Sequence, residues 1–74
     1  MNSKQERFIK VASKRVQYII DKMDLLGNCS NRNNYDFDEK DVRKMFLAIK
    51  ESMKRAEMKF EDELQKKQKR KFKF

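Results

Sequence analysis

The chain has 74 residues, a formal charge of +8, and 38% hydrophobic against 43% charged side chains, enough for one small domain and poor in core material. One Cys closes no intrachain disulfide, and one Cys with no His argues against a zinc site built within a single chain. A small fold of this composition therefore calls for a partner rather than a staple or a metal: a second copy, another protein or a nucleic acid.

The N-terminal stretch "MNSKQERFIK" lacks the hydrophobic region of a secretory signal. Ser3 and Glu6 have the S-x-x-E spacing of a capping box. Apolar residues then recur at Phe8, Ile9, Ala12, Val16, Ile19, Ile20, Met23 and Leu26, in the steps of three and four that make one helical stripe. Gly27 follows, where a helix stop commonly uses a residue with positive φ. The first helix is expected over about residues 4–26.

The joint, "GNCSNRNNY", is rich in asparagines, which tolerate left-handed angles and hydrogen-bond locally. It is longer than most helix connections and too long for the short turn of a helix-turn-helix DNA reader. Asn28, Ser30, Asn31, Arg32, Asn34 and Tyr35 offer donors and acceptors suited to base edges or a partner loop, or to a turn that satisfies itself. Cys29 has no His in the chain to draw off its proton, so nucleophilic catalysis is not expected. Asp36, Asp38 and Asp41 suit a Mg²⁺ ion in principle, but helix capping explains them more simply.

The second helix announces its start. Asp38 is a good N-cap with Asp41 at the third helical position. Phe37 and Val42 have the spacing of a hydrophobic staple. A stripe runs through Val42, Met45, Phe46, Ile49, Met53, Ala56, Phe60 and Leu64, and pairs such as Glu39–Arg43, Glu51–Arg55, Asp62–Lys66 and Glu63–Lys67 support its exposed flank. This helix is expected over about residues 39–67, fraying where like charges accumulate. Lys40, Arg43, Lys44, Lys50, Lys54, Arg55 and Lys59 lie along it with acids interleaved, the usual pattern of a solvated face.

Charge is unevenly placed. Residues 1–64 carry 14 basic and 12 acidic side chains, whereas "QKKQKRKFKF", residues 65–74, carries six basic and none acidic. Lys66, Lys67, Lys69, Arg70, Lys71 and Lys73 at this density release counterions from a phosphate backbone, and the rings of Phe72 and Phe74 can stack on exposed bases. An acidic membrane surface or an acidic protein would suit the same composition, as would a simple solvated end.

A second apolar line accompanies each stripe. Val11, Tyr18 and Leu25 are spaced by seven, and Leu47 and Met58 by eleven, so each set aligns on a face away from the main stripe. Scattered surface apolars are normal; an additional contact face would pair two hairpins into a four-helix bundle.

The block "LLGNCSNRNNYDFDEKDVRKMF", Leu25 to Phe46, followed by Ala48 and Ile49, resembles a group of small helical proteins encoded on mobile elements, plasmids and phages of Gram-positive bacteria. The shared core is similar to Gly27-Asn28-Cys29-Ser30-Asn31, then Asn34-Tyr35, then a helix opening near Asp38 with Val42, Phe46 and Ile49 on its inner face. The resemblance covers roughly residues 8–60 and leaves the basic tail outside. It implies a setting rather than a chemistry: a DNA-associated accessory factor, or a small inhibitor or adaptor docking onto a nucleic-acid enzyme.

The expected fold is all-α: an antiparallel two-helix hairpin over residues 1–64 with a polar joint, completed by self-association or a partner, and a basic tail over 65–74. The expected function is non-enzymatic binding of nucleic acid through phosphate contacts, with a protein–protein interaction module as the alternative. A homo-oligomer, a cytoplasmic location, no cofactor, no metal and no transmembrane segment complete the expectation, since no apolar run approaches the roughly 20 residues that span a bilayer.

Overall fold

The computed structural model describes the backbone of residues 3–69 and the side chains of residues 3–66. Two helices, α1 (Ser3–Gly27) and α2 (Glu39–Lys69), flank a 3₁₀ turn at Asn28–Ser30. Among the described residues there is no strand, and no helix is long and apolar enough to cross a membrane. The chain divides between Asp36 and Phe37 into two units.

In the first unit, α1 runs without a break from Ser3 to Gly27. Ser3 is already helical, so it is not the N-cap that the expected Ser3–Glu6 box requires. Glu6 still lies in the first turn, where its charge meets the positive end of the helix dipole. Mid-helix Ser13 is accommodated because its hydroxyl donates to the Ile9 carbonyl one turn back.

The end of α1 differs from the sequence expectation. Gly27 does not take positive φ; it is right-handed helical, with φ −56° and ψ −32°. The backbone tightens through Asn28–Ser30 instead and leaves the helix at Asn31, which is extended at φ −70° and ψ 104°. A 3₁₀ turn satisfies terminal carbonyls without a left-handed residue. A methyl group added at Gly27 would meet no atom within 4 Å. Gly27→Ala is therefore expected to stabilise α1 by about 0.5–1 kcal/mol, read as a rise in the thermal midpoint. A lower midpoint would restore the left-handed cap.

In the second unit, the predicted start of α2 is present in detail. Asp41 N–H donates to Asp38 Oδ1 at 2.8 Å, and Asp38 N–H donates to Asp41 Oδ2 at 3.0 Å. The Asp38 carbonyl accepts the first intrahelical bond from Val42 N–H at 3.2 Å. This is a reciprocal capping box with Asp in place of the usual Glu or Gln. Phe37 and Val42, the staple pair, are both half-buried. Asp38→Ala is expected to cost about 1 kcal/mol, with the loss of amide-exchange protection confined to the first turn of α2. Uniform loss along α2 would mean that the box does not set the start.

Arg43 pairs with Glu39 as predicted, while Lys66 pairs with Glu63, 3.7 Å away, rather than with Asp62. α2 continues to Lys69, two residues past the expected end.

Among the described residues no side chain is buried. Ala12 and Leu26 of the first unit and Phe37, Val42 and Ile49 of the second are half-buried; the rest are exposed. The stripe residues Phe8, Val16, Ile19, Ile20, Phe60 and Leu64 are among the exposed. Each helix thus presents an apolar stripe that its own unit does not cover, although helices in proteins draw most of their stability from packing such a face.

Candidate nucleic-acid interface

The cations of the tail are spread over the end of α2 and beyond. Lys66 is exposed and its ammonium is held by Glu63. Lys67 and Lys69 belong to the helix by their backbone. Arg70, Lys71, Phe72, Lys73 and Phe74 lie outside the described residues.

Further back on α2, Lys40, Lys44, Lys50, Lys54, Arg55 and Lys59 are all exposed. Arg43 is engaged by Glu39. A shallow open groove on this helix is lined by Val42, Arg43, Phe46, Leu47 and Lys50, an apolar floor with a basic rim.

The joint is organised by one residue. The Asn31 side-chain oxygen accepts from Asn33 N–H at 3.0 Å, an Asx turn. Its carbonyl accepts from Asn34 N–H at 3.1 Å and from Tyr35 N–H at 3.0 Å, and its own N–H donates to the Asn28 carbonyl at 3.4 Å. Asn31 is thus used by the loop itself. Arg32 lies 3.9 Å from Asp36, a weak exposed pair. Asn28, Asn34 and Tyr35 remain exposed, as does the free thiol of Cys29. The central place of Asn31 was missed by sequence reasoning, because an Asx turn needs only a backbone N–H two residues on, which every asparagine of the joint has.

The three aspartates considered for a metal have other uses. Asp36 faces Arg32, and Asp38 and Asp41 cap α2. Among the described residues no three His, Cys, Asp or Glu side chains group to hold an ion.

The second apolar line is exposed at every position: Val11, Tyr18 (63%), Leu25 (57%), Leu47 (59%) and Met58. On α1 the Lys22 ammonium lies over the Tyr18 ring, 5.0 Å from its centre, a cation–π contact. The structure thus places Val11, Tyr18 and Leu25 together on one helix, and Leu47 and Met58 on the other.

No protein-family model, curated protein or solved structure matches the chain. What the chain does is therefore argued from its own residues.

Proposed function

We propose that this chain is a non-enzymatic helical module that binds nucleic acid chiefly through phosphate contacts, and that its two helices fold back on each other as an antiparallel hairpin. One observation carries the reading: residues 65–74 hold six cations and no acid, against 14 basic and 12 acidic side chains in the remainder. Phosphate binding needs cations in excess of their internal partners, and the tail supplies them.

The distribution of charge along the helices supports the hairpin. Residues 4–15 carry five basic and one acidic side chain, and residues 57–63 carry four acidic and one basic. Residues 21–24 carry two acids and one base, and residues 43–50 three bases and no acid. Antiparallel pairing sets opposite signs beside each other over these windows, with Glu39 and Asp41 near Asp24 at the joint the exception; parallel pairing sets like beside like. The exposed stripes on α1 and α2 then cover one another.

The resemblance of the Leu25–Phe46 block to small mobile-element proteins supports an accessory role in that setting. The exposed second line favours one competing reading, an interaction module that docks onto a nucleic-acid enzyme. Fluorescence anisotropy with a labelled duplex, single strand and RNA separates the two. Binding that weakens about a thousandfold between 50 and 200 mM salt is expected for six phosphate contacts. Indifference to all three at low salt would overturn the nucleic-acid reading and leave the interaction module.

A further inference from the structure

The charges that frame the second line of α2 change sign along the helix. Over residues 39–66, the charged side chains within about 60° of the Leu47–Met58 line are Lys40, Arg43, Lys44, Glu51, Lys54, Glu61 and Asp62. All seven are exposed, as are Leu47 and Met58. The first three are basic, Glu51 and Lys54 mark the middle, and the last two are acidic. A face that is basic at one end and acidic at the other complements itself when turned end for end. The second line of α1 is of another kind. Lys4, Arg7, Lys14, Arg15 and Lys22 frame Val11, Tyr18 and Leu25 along their whole length, with Asp21 at the margin the sole acid. Laid along the full α2 line in either direction, that face would set cations against Lys40, Arg43 and Lys44.

We propose that a second copy of this chain covers the α2 line, with α2 of each copy lying antiparallel on α2 of the other. With Leu47 level with the partner's Met58, a two-fold axis passes between Ser52 and Met53 and brings like flanks of the two helices together. Arg43 then lies beside the partner's Glu61 on one flank, and Lys44 beside the partner's Asp62 on the other, each about one residue from level. Glu51 comes level with the partner's Lys54 near the centre, and Lys40 with the partner's Gln65, which is neutral. The two copies of Lys54 are about 4.5 Å apart along the axis, as are the two of Glu51, so the signs at the centre alternate. Lys50 and Arg55, just outside the face, come level on opposite flanks and do not meet. Arg43 is engaged by Glu39, but a guanidinium has five donors and serves two carboxylates. Every contact is made twice over about 28 Å of helix from Arg43 to Asp62, so the face is self-complementary and the assembly closes. Parallel pairing would set each charge against its own copy. Flanking charges of this kind choose partner and orientation more than they add affinity. The contact leaves the Val42–Leu64 stripe, on the other side of α2, to the proposed hairpin. It does not depend on nucleic-acid binding, because every charged group it uses lies outside residues 65–74.

Sedimentation equilibrium on the full chain tests it. The unaltered protein is expected to dimerise reversibly without nucleic acid. Arg43→Glu with Lys44→Glu, and separately Glu61→Lys with Asp62→Lys, set like charges together at both ends of the contact. Each should weaken the homodimer about tenfold or more. An equimolar mixture of the two variants sets each altered end against its complement. It should form a heterodimer within about twofold of the original affinity, which misfolded chains would not do. Arg7→Glu with Lys22→Glu, on α1, should leave the dimer unchanged. A monomer at every concentration, a dimer that neither α2 variant weakens, a mixture without heterodimer, or a dimer weakened by the α1 variant would each overturn the proposal.

Discussion

Removing residues 65–74 is expected to reduce affinity for a short duplex at low salt by about two to three orders of magnitude, and to flatten the plot of log affinity against log salt by about five. The second figure is the sharper test. Each phosphate neutralised on a duplex contributes about 0.9 to that slope, and the tail holds six cations. The remainder of the chain has nearly balanced charge, 14 basic against 12 acidic side chains. Shortening α2 also removes the cations that complement its negative end, a stability effect of a few tenths of a kcal/mol to about 1 kcal/mol. A full-length variant with the six tail cations changed to Gln holds the length constant and should lose the same slope. A slope unchanged in both proteins would place the phosphate contacts elsewhere on the chain or remove them altogether.

The start of α2 was legible because its chemistry is local. Asp38 and Asp41 are three residues apart, and a side chain that reaches three residues needs no tertiary help to find its N–H. The staple pair Phe37 and Val42 is equally local, and both residues are half-buried as that reading requires. The end of α1 was misread for the opposite reason. Glycine after an apolar stripe is compatible with a left-handed stop and with one more helical residue, and the deciding bonds are those that Asn28 and Asn31 make within the joint. Sequence alone placed many asparagines there without ranking them. The two apolar lines on each helix were legible as positions, since helical periodicity is a property of one segment. What covers them was not, because covering depends on which surfaces meet, and the residues of the meeting surfaces lie far apart along the chain. The tail was legible as charge alone, for counterion release depends on cation density more than on a particular fold.

Ile49→Asp is the substitution expected to damage the fold most. Ile49 sits mid-stripe on α2 and is one of five half-buried residues among those described, and the proposed hairpin buries it against α1. An unpaired carboxylate there must either stay charged in an apolar interface or take up a proton. Either route costs about 3 kcal/mol or more, a large part of the 5–15 kcal/mol that holds a typical small domain together. Thermal melting followed by far-UV circular dichroism is expected to lose its cooperative step, because neither helix has a covered apolar face once the pair separates, and single helices are marginal in water. Lys50→Asp is the matched control. It places the same side chain one residue on, away from the stripe, with the same helix propensity, and should shift the transition by no more than about 0.5 kcal/mol. If the two variants melt alike, the Val42–Leu64 stripe is not the face that packs, and the hairpin fails with it. If Ile49→Asp alone melts without cooperativity, helix content in this chain depends on that face being covered.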